Sequence, residues 1–139
     1  MIPTVRLATS DDIDSIQNIF EAATSADGRQ EDWARLIESG GLVVAETNDA
    51  VVGFGGIDVH SVEQVKWLYV LPEHQGSGAG SKILEQLEEI GWNAGFTVLR
   101  LHSAPSAEQF YRKHGYESVE PHETIGHDHD GVELMKRRD

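Results

Sequence analysis

Apolar positions along the chain fall into short blocks whose spacing alternates between the two-residue period of a strand and the helical period. Pro3 to Leu7 predicts a first short strand. A helix follows, with Ser10 or Asp11 as cap and Ile13, Ile16, Ile19 and Phe20 on one face. Residues 24–31 are polar and predict a loop, and Trp33, Leu36 and Ile37 predict a short second helix closed by Gly40-Gly41. Leu42–Glu46 and Ala50–Val59 read as two strands around the hairpin turn Asn48-Asp49. Glycines 53, 55 and 56 within the second of these suit a bend or the close approach of other backbone. His60-Ser61 turns the chain into a central strand from Val62 to Leu71, stopped by Pro72. A helix over 81–93 ends at Gly95, a strand covers Thr97–Leu101, and a helix over Ala107–His114 is closed by Gly115. The tail, Tyr116 to Arg138, predicts two last strands around Gly126–Gly131. Hairpins mixed with helices imply an α/β domain with a mixed, largely antiparallel sheet of six to seven strands flanked by about four helices.

The most informative stretch is residues 62–90, where a strand runs through a glycine-rich turn into a helix. Gly76, Gly78 and Gly80 alternate just before a helix whose apolar face is Ile83, Leu84, Leu87 and Ile90, with Glu85, Glu88 and Glu89 read as solvated. Such a turn lets a ligand approach backbone without striking a Cβ. The free amides at the helix start, aided by the helix dipole, favour an anion, and a pyrophosphate suits them. A turn that merely connects two elements is the plain alternative. Ser81 separates Gly80 from Lys82, so the phosphate-loop motif of nucleotide triphosphatases fails. The dinucleotide fingerprint fails as well, since Ser81 stands where its third glycine belongs.

Composition narrows the field. A chain of 139 residues is expected to form a single domain, 1–139. Its 24 acidic and 11 basic residues give a net charge of −13, which argues against nucleic acid and anionic membrane as partners. The same acidity is compatible with a salt-adapted or an ordinary cytoplasmic protein. With no cysteine there is neither a disulfide framework nor a thiol nucleophile. No apolar run reaches membrane length and no signal sequence is evident, so a soluble cytoplasmic protein is expected.

The segment Leu68-Tyr69-Val70-Leu71-Pro72-Glu73 followed by Gln75-Gly76-Ser77-Gly78-Ala79-Gly80 reads as Gln/Arg-x-x-Gly-x-Gly/Ala after a strand. It resembles motif A of the GCN5-related N-acetyltransferases. The opening Val5-Arg6-x-Ala8-Thr9-x-x-Asp12 and the segment Ala107-x-x-Phe110-Tyr111-x-x-x-Gly115-Tyr116 resemble that family too, so the likeness covers most of the chain. The resemblance implies acetyl-CoA as co-substrate, no metal and a homodimer as one open arrangement; the acceptor is expected to be an amine of a small molecule, since the acidic chain favours a cationic small amine or a basic peptide end. It implies that Gln75, Gly76, Ser77, Gly78, Ala79, Gly80 and Ser81 hold the pyrophosphate, and that main-chain groups of Leu68, Tyr69 and Val70 hold the pantetheine arm. That arm would lie where the central strand diverges from residues 97–103. Tyr111 takes the place of the acid that protonates the departing thiolate. A phenol, protonated at neutral pH, has the chemistry for it.

Relatives often carry an asparagine where this chain has Ala104-Pro105, which leaves Ser103 or a backbone group to contact the arm. A glutamate on the central strand often serves as base, which makes Glu63 the candidate here; Gln64 points to the other face and cannot act as one. His60 and His102 are further candidates by their intrinsic pKa, and a chain of water molecules is another route for the proton. His122, His127 and His129 among acidic neighbours read as a solvated loop before a zinc site. Two rival functions stand beside the main expectation: acetylation of a peptide N-terminus or lysine, and an acyl-CoA-binding module without turnover.

Overall fold

A computed structural model describes residues 3–24, 32–119 and 132–138. Among the described residues, seven strands and four α-helices follow in the order β1 (Thr4–Leu7), α1 (Ile13–Thr24), α2 (Trp33–Glu38), β2 (Leu42–Thr47), β3 (Ala50–Ile57), β4 (Val65–Val70), α3 (Ala79–Asn93), β5 (Val98–Ser103), α4 (Glu108–Lys113), β6 (Glu117–Ser118) and β7 (Val132–Arg137). The expected α/β class holds, but the strands form two sheets, β1-β2-β3-β4 and β5-β7-β6, with every pairing antiparallel. The division falls between β4 and β5, the strands expected to diverge.

Local chemistry accounts for most boundaries. Asn48 and Asp49 both take positive φ (52° and 64°), which a two-residue hairpin of type I′ requires. The first helical turn is closed by Asp12, whose carboxylate accepts the Thr9 N–H at 2.7 Å, so the cap is not Ser10 or Asp11 as expected. Arg6 binds the same carboxylate at 2.8 Å and, with the Thr9 amide, holds it below the usual carboxylate range. The central strand begins at Val65, not Val62. Asp58 N–H donates to the Gln64 carbonyl at 2.8 Å and folds residues 58–64 into a turn, leaving Val62 exposed.

Two apolar clusters cover the faces of the first sheet. On one, Trp33 of α2 packs edge-on against Phe20, Phe54 and Trp67 at ring distances of 5.4 Å each. On the other, Ile83, Leu84 and Leu87 of α3 are fully buried against β2, β3 and β5. Glu85 and Glu89 are exposed as expected, but Glu88 is buried and meets Lys136 of β7 at 3.0 Å. Position 88 lies one turn after Leu84, on the flank of the buried stripe, and the lysine supplies the opposite charge that burial demands.

The seat of α3 depends on Gly55. A Cβ there would stand 2.4 Å from Ile83 Cγ2 and 3.0 Å from Leu87 Cδ1. Both side chains are fully buried, so neither has room to yield. Gly55→Ala is expected to cost about 2 kcal/mol of stability as overpacking. A denaturant midpoint unchanged from the parent would show that α3 does not rest on this glycine.

Candidate active site

The gap between the sheets leaves one edge of β4 open. Leu71 N–H donates to the Val52 carbonyl at 2.8 Å and Tyr69 pairs with Phe54, so odd-numbered positions exchange bonds with β3. Alternation then turns the main-chain groups of Leu68 and Val70 the other way, toward β5. At the start of β4, the Gln64 side chain bridges the gap: its Oε1 accepts the Arg100 N–H at 3.0 Å and its Nε2 donates to the Ser61 carbonyl at 2.8 Å. The two sheets are stitched at that end and part toward the other.

Beyond Val70 the chain enters the glycine-rich turn. Gln75 folds back so that its Nε2 donates to the Val70 carbonyl at 3.1 Å, and Ser77 Oγ donates to the His74 carbonyl at 2.6 Å. Gly78 caps α3 with φ 93° and ψ 0°, and, its chain neighbours apart, a Cβ at this position would meet no atom of the described residues within 4 Å. The helix therefore starts two residues earlier than expected, at Ala79, and directs the amides of its first turn at open space.

Opposite the turn lies α4, whose Phe110 ring is 3.4 Å from where a Gly80 Cβ would stand. Between them runs a cleft of about 630 Å³, lined by Leu68, Val70, the turn glycines, Ser81, Ser106 and Tyr111 among others. Its volume falls in the range that holds small ligands and cofactors. Among the described residues, the lining contains no carboxylate, imidazole or ammonium group. Tyr111 is 9% exposed and stacks edge-on between Phe110 and Tyr116. Burial, with a smaller contribution from Tyr69, pushes its phenol above the ordinary range, so it stays protonated.

The structure thus gathers most of the expected residues and separates a few. Leu68, Val70, Gln75, Gly76, Gly78, Gly80, Ser81 and Tyr111 line one cleft. The Tyr69 ring points to the opposite face, 5.7 Å from Phe54. Ser77 turns its hydroxyl into the loop, and Ala79 is buried beneath it. Ser103 is 1% exposed and its hydroxyl donates to the Ala104 carbonyl at 2.8 Å, outside the cleft lining. Glu63 lies before β4, five residues from Leu68, and does not line the cleft. Sequence reading did not single out Ser106 or Phe110 as cleft residues, and both form cleft wall. The Pro105 turn beside Ser106 was the available signal. His122, His127 and His129 lie outside the described residues; among the described residues no group of three or more metal-ligating side chains gathers.

A family model described as an acetyltransferase (GNAT) domain matches residues 38–118, from the end of α2 through β6. The chain belongs to the GNAT acetyltransferases. A search of curated proteins found no match. Among solved structures, this GNAT chain is similar to a GCN5-related N-acetyltransferase from Rhodopseudomonas palustris, with 21% identity, 99% of this chain and 96% of that one covered, and a TM-score of 0.71. It is similar to yncA of Salmonella typhimurium, solved with its cofactor acetyl-CoA, at 21% identity, 100% and 95% coverage and TM-score 0.75. A third is the PaiA N-acetyltransferase of Thermoplasma acidophilum in complex with coenzyme A, at 16% identity, 99% coverage of both chains and TM-score 0.73. At these identities the likeness is one of fold, and the GNAT fold is the one described above.

Proposed function

We propose that this GNAT domain transfers the acetyl group of acetyl-CoA directly to a primary amine of a small molecule. The observation that carries the reading is the continuity of the cleft. An open strand edge at Leu68 and Val70, with Gln75 on the Val70 carbonyl, lines the same cleft as a helix start whose amides face open space. A pantetheine arm carries amides that pair with such an edge as an added strand would, and a pyrophosphate suits the turn beyond it. Relatives of the same fold that hold CoA or acetyl-CoA support the assignment.

The reaction joins the amine nitrogen to the thioester carbonyl carbon and breaks the carbon–sulfur bond. Nitrogen gives up a proton and sulfur gains one. Tyr111 stands in the cleft wall with its proton in place. A thiol near 8.5 is more acidic than a phenol held above about 10, so complete transfer from Tyr111 to the thiolate runs uphill. Its work is to donate a hydrogen bond as charge develops on sulfur, easing the break, and the departing thiolate takes its proton from water. With Glu63 outside the cleft, the amine's proton passes to water at the cleft mouth. No cysteine is present to carry an acyl intermediate, which favours direct attack.

A panel of small amines and short peptides, incubated with acetyl-CoA while thiol release is followed, tests the reading. Release with small amines is the expected result. Release with peptides alone moves the assignment to protein acetylation, and CoA binding with no release to any acceptor reduces the domain to a binding module. Among the described residues no helix is long and apolar enough to cross a membrane.

A further inference from the structure

His114 closes α4, and its ring bonds in two directions. Nδ1 lies 2.9 Å from the Phe110 carbonyl oxygen, and Nε2 lies 3.0 Å from Ser81 Oγ. A carbonyl can only accept, so Nδ1 carries the hydrogen and Nε2 of the neutral ring accepts from the Ser81 hydroxyl. The ring also lies against Phe110, with centroids 4.7 Å apart, and Phe110 in turn covers Gly80. Ser81 is the third residue of α3 and lines the cleft, whereas His114 does not. One imidazole therefore ties the end of α4 to the first turn of α3 from outside the cleft.

The tie stands where the fold has few others. The glycine-rich turn is held by Gln75 on Val70 and by Ser77 on His74, both upstream of Gly78. Downstream of Gly78 the Ser81–His114 bond is a side-chain link between the two walls of the cleft. A helix of six residues such as α4 has little stability of its own and depends on what it is bonded to. Donors fixed before an anion arrives bind it more tightly than donors that must be ordered on arrival.

We infer that His114 is a positioning residue for the phosphate end of the cofactor: through Ser81 and Phe110 it holds the first turn of α3 against α4, keeping the amides of residues 79–81 aimed at the pyrophosphate. Ser81 then meets the anion with its main-chain N–H, its hydroxyl hydrogen being committed to the imidazole. The inference rests on the phosphate cradle proposed above.

The test is equilibrium binding of CoA, and of pantetheine, which lacks the pyrophosphate. In His114→Asn the amide nitrogen replaces Nδ1 and keeps the Phe110 bond but does not reach Ser81. In His114→Gln the longer side chain restores a partner near the position of Nε2. His114→Asn and Ser81→Ala are each expected to weaken CoA binding about fivefold, the worth of one ordinary hydrogen bond. The double variant is expected to be no worse than either alone, because both remove the same bond. His114→Gln should bind CoA within about twofold of the parent, and pantetheine affinity should be the same in all of them. CoA affinity unchanged in His114→Asn, or CoA and pantetheine weakened equally, overturns the role of His114 while leaving the cradle in place. A parent protein that binds CoA no more tightly than pantetheine overturns the cradle and the inference with it.

Discussion

Replacing Gly78 with valine is expected to weaken CoA binding about a hundredfold or more while the protein stays folded. Two effects add. The backbone at Gly78 has φ 93°, a left-handed conformation that costs a side-chain-bearing residue roughly 1–2 kcal/mol and a β-branched one more. The new side chain then projects into space that, its chain neighbours apart, no atom of the described residues occupies within 4 Å, the space from which the α3 amides are reached. The first effect lowers the melting temperature by a few degrees, at roughly 2–4 °C for each kcal/mol in chains of this size. The second acts on the ligand alone. Gly95, at the far end of α3, separates the two: its φ is 100° and its surroundings are equally open, so Gly95→Val imposes similar strain away from the cleft. CoA titrations of both variants should show a large loss for Gly78→Val and none for Gly95→Val. Equal affinities would mean that the turn is a connector and that the anion lies elsewhere.

Tyr111→Phe is expected to lower kcat by about 10- to 100-fold with CoA affinity within about twofold of the parent. A hydrogen bond to a charged group contributes roughly 1.5–3 kcal/mol, and here it forms only as the thiolate develops, so the loss falls on the chemical step. The ring itself stays. Its packing against Phe110 at 5.2 Å and Tyr116 at 5.8 Å is available to phenylalanine as well, which keeps the cleft wall in place. Steady-state kinetics with the best acceptor, beside a CoA titration, separates the two quantities. A kcat equal to that of the parent would remove Tyr111 from the mechanism and leave it a wall residue.

What could be read from the residues was what local chemistry determines. The positive φ angles of Asn48 and Asp49 follow from the hairpin turn, and the buried stripe of Ile83, Leu84 and Leu87 follows from helical spacing. The motif from Leu68 to Ser81 placed strand, turn and helix in the right order. The misreadings arise from bonding partners, near or far along the chain, that composition and periodicity do not reveal. Val62 is apolar and looked like strand, yet the Asp58–Gln64 bond folds it into a turn and leaves it 66% exposed. Glu88 looked like surface until Lys136, 48 residues on, came to rest beside it. Ser103 looked available, but its hydroxyl had a nearer acceptor in the Ala104 carbonyl. The parting of β4 from β5 was expected only through the family resemblance, and the reach of His114 to Ser81, 33 residues back, leaves no mark in any window of sequence.

An unpaired strand edge invites other polypeptides to add themselves, which is a common route to aggregation. In this protein the invitation is brief. Gln64 bridges to Arg100 at one end of β4, and Gln75 takes the Val70 carbonyl at the other. Between them Lys66 is exposed, and a charged side chain at such an edge discourages intruding strands. A slot so short offers a passing peptide few bonds, so the edge on which the proposed thioester arm would lie is a poor template for an added strand.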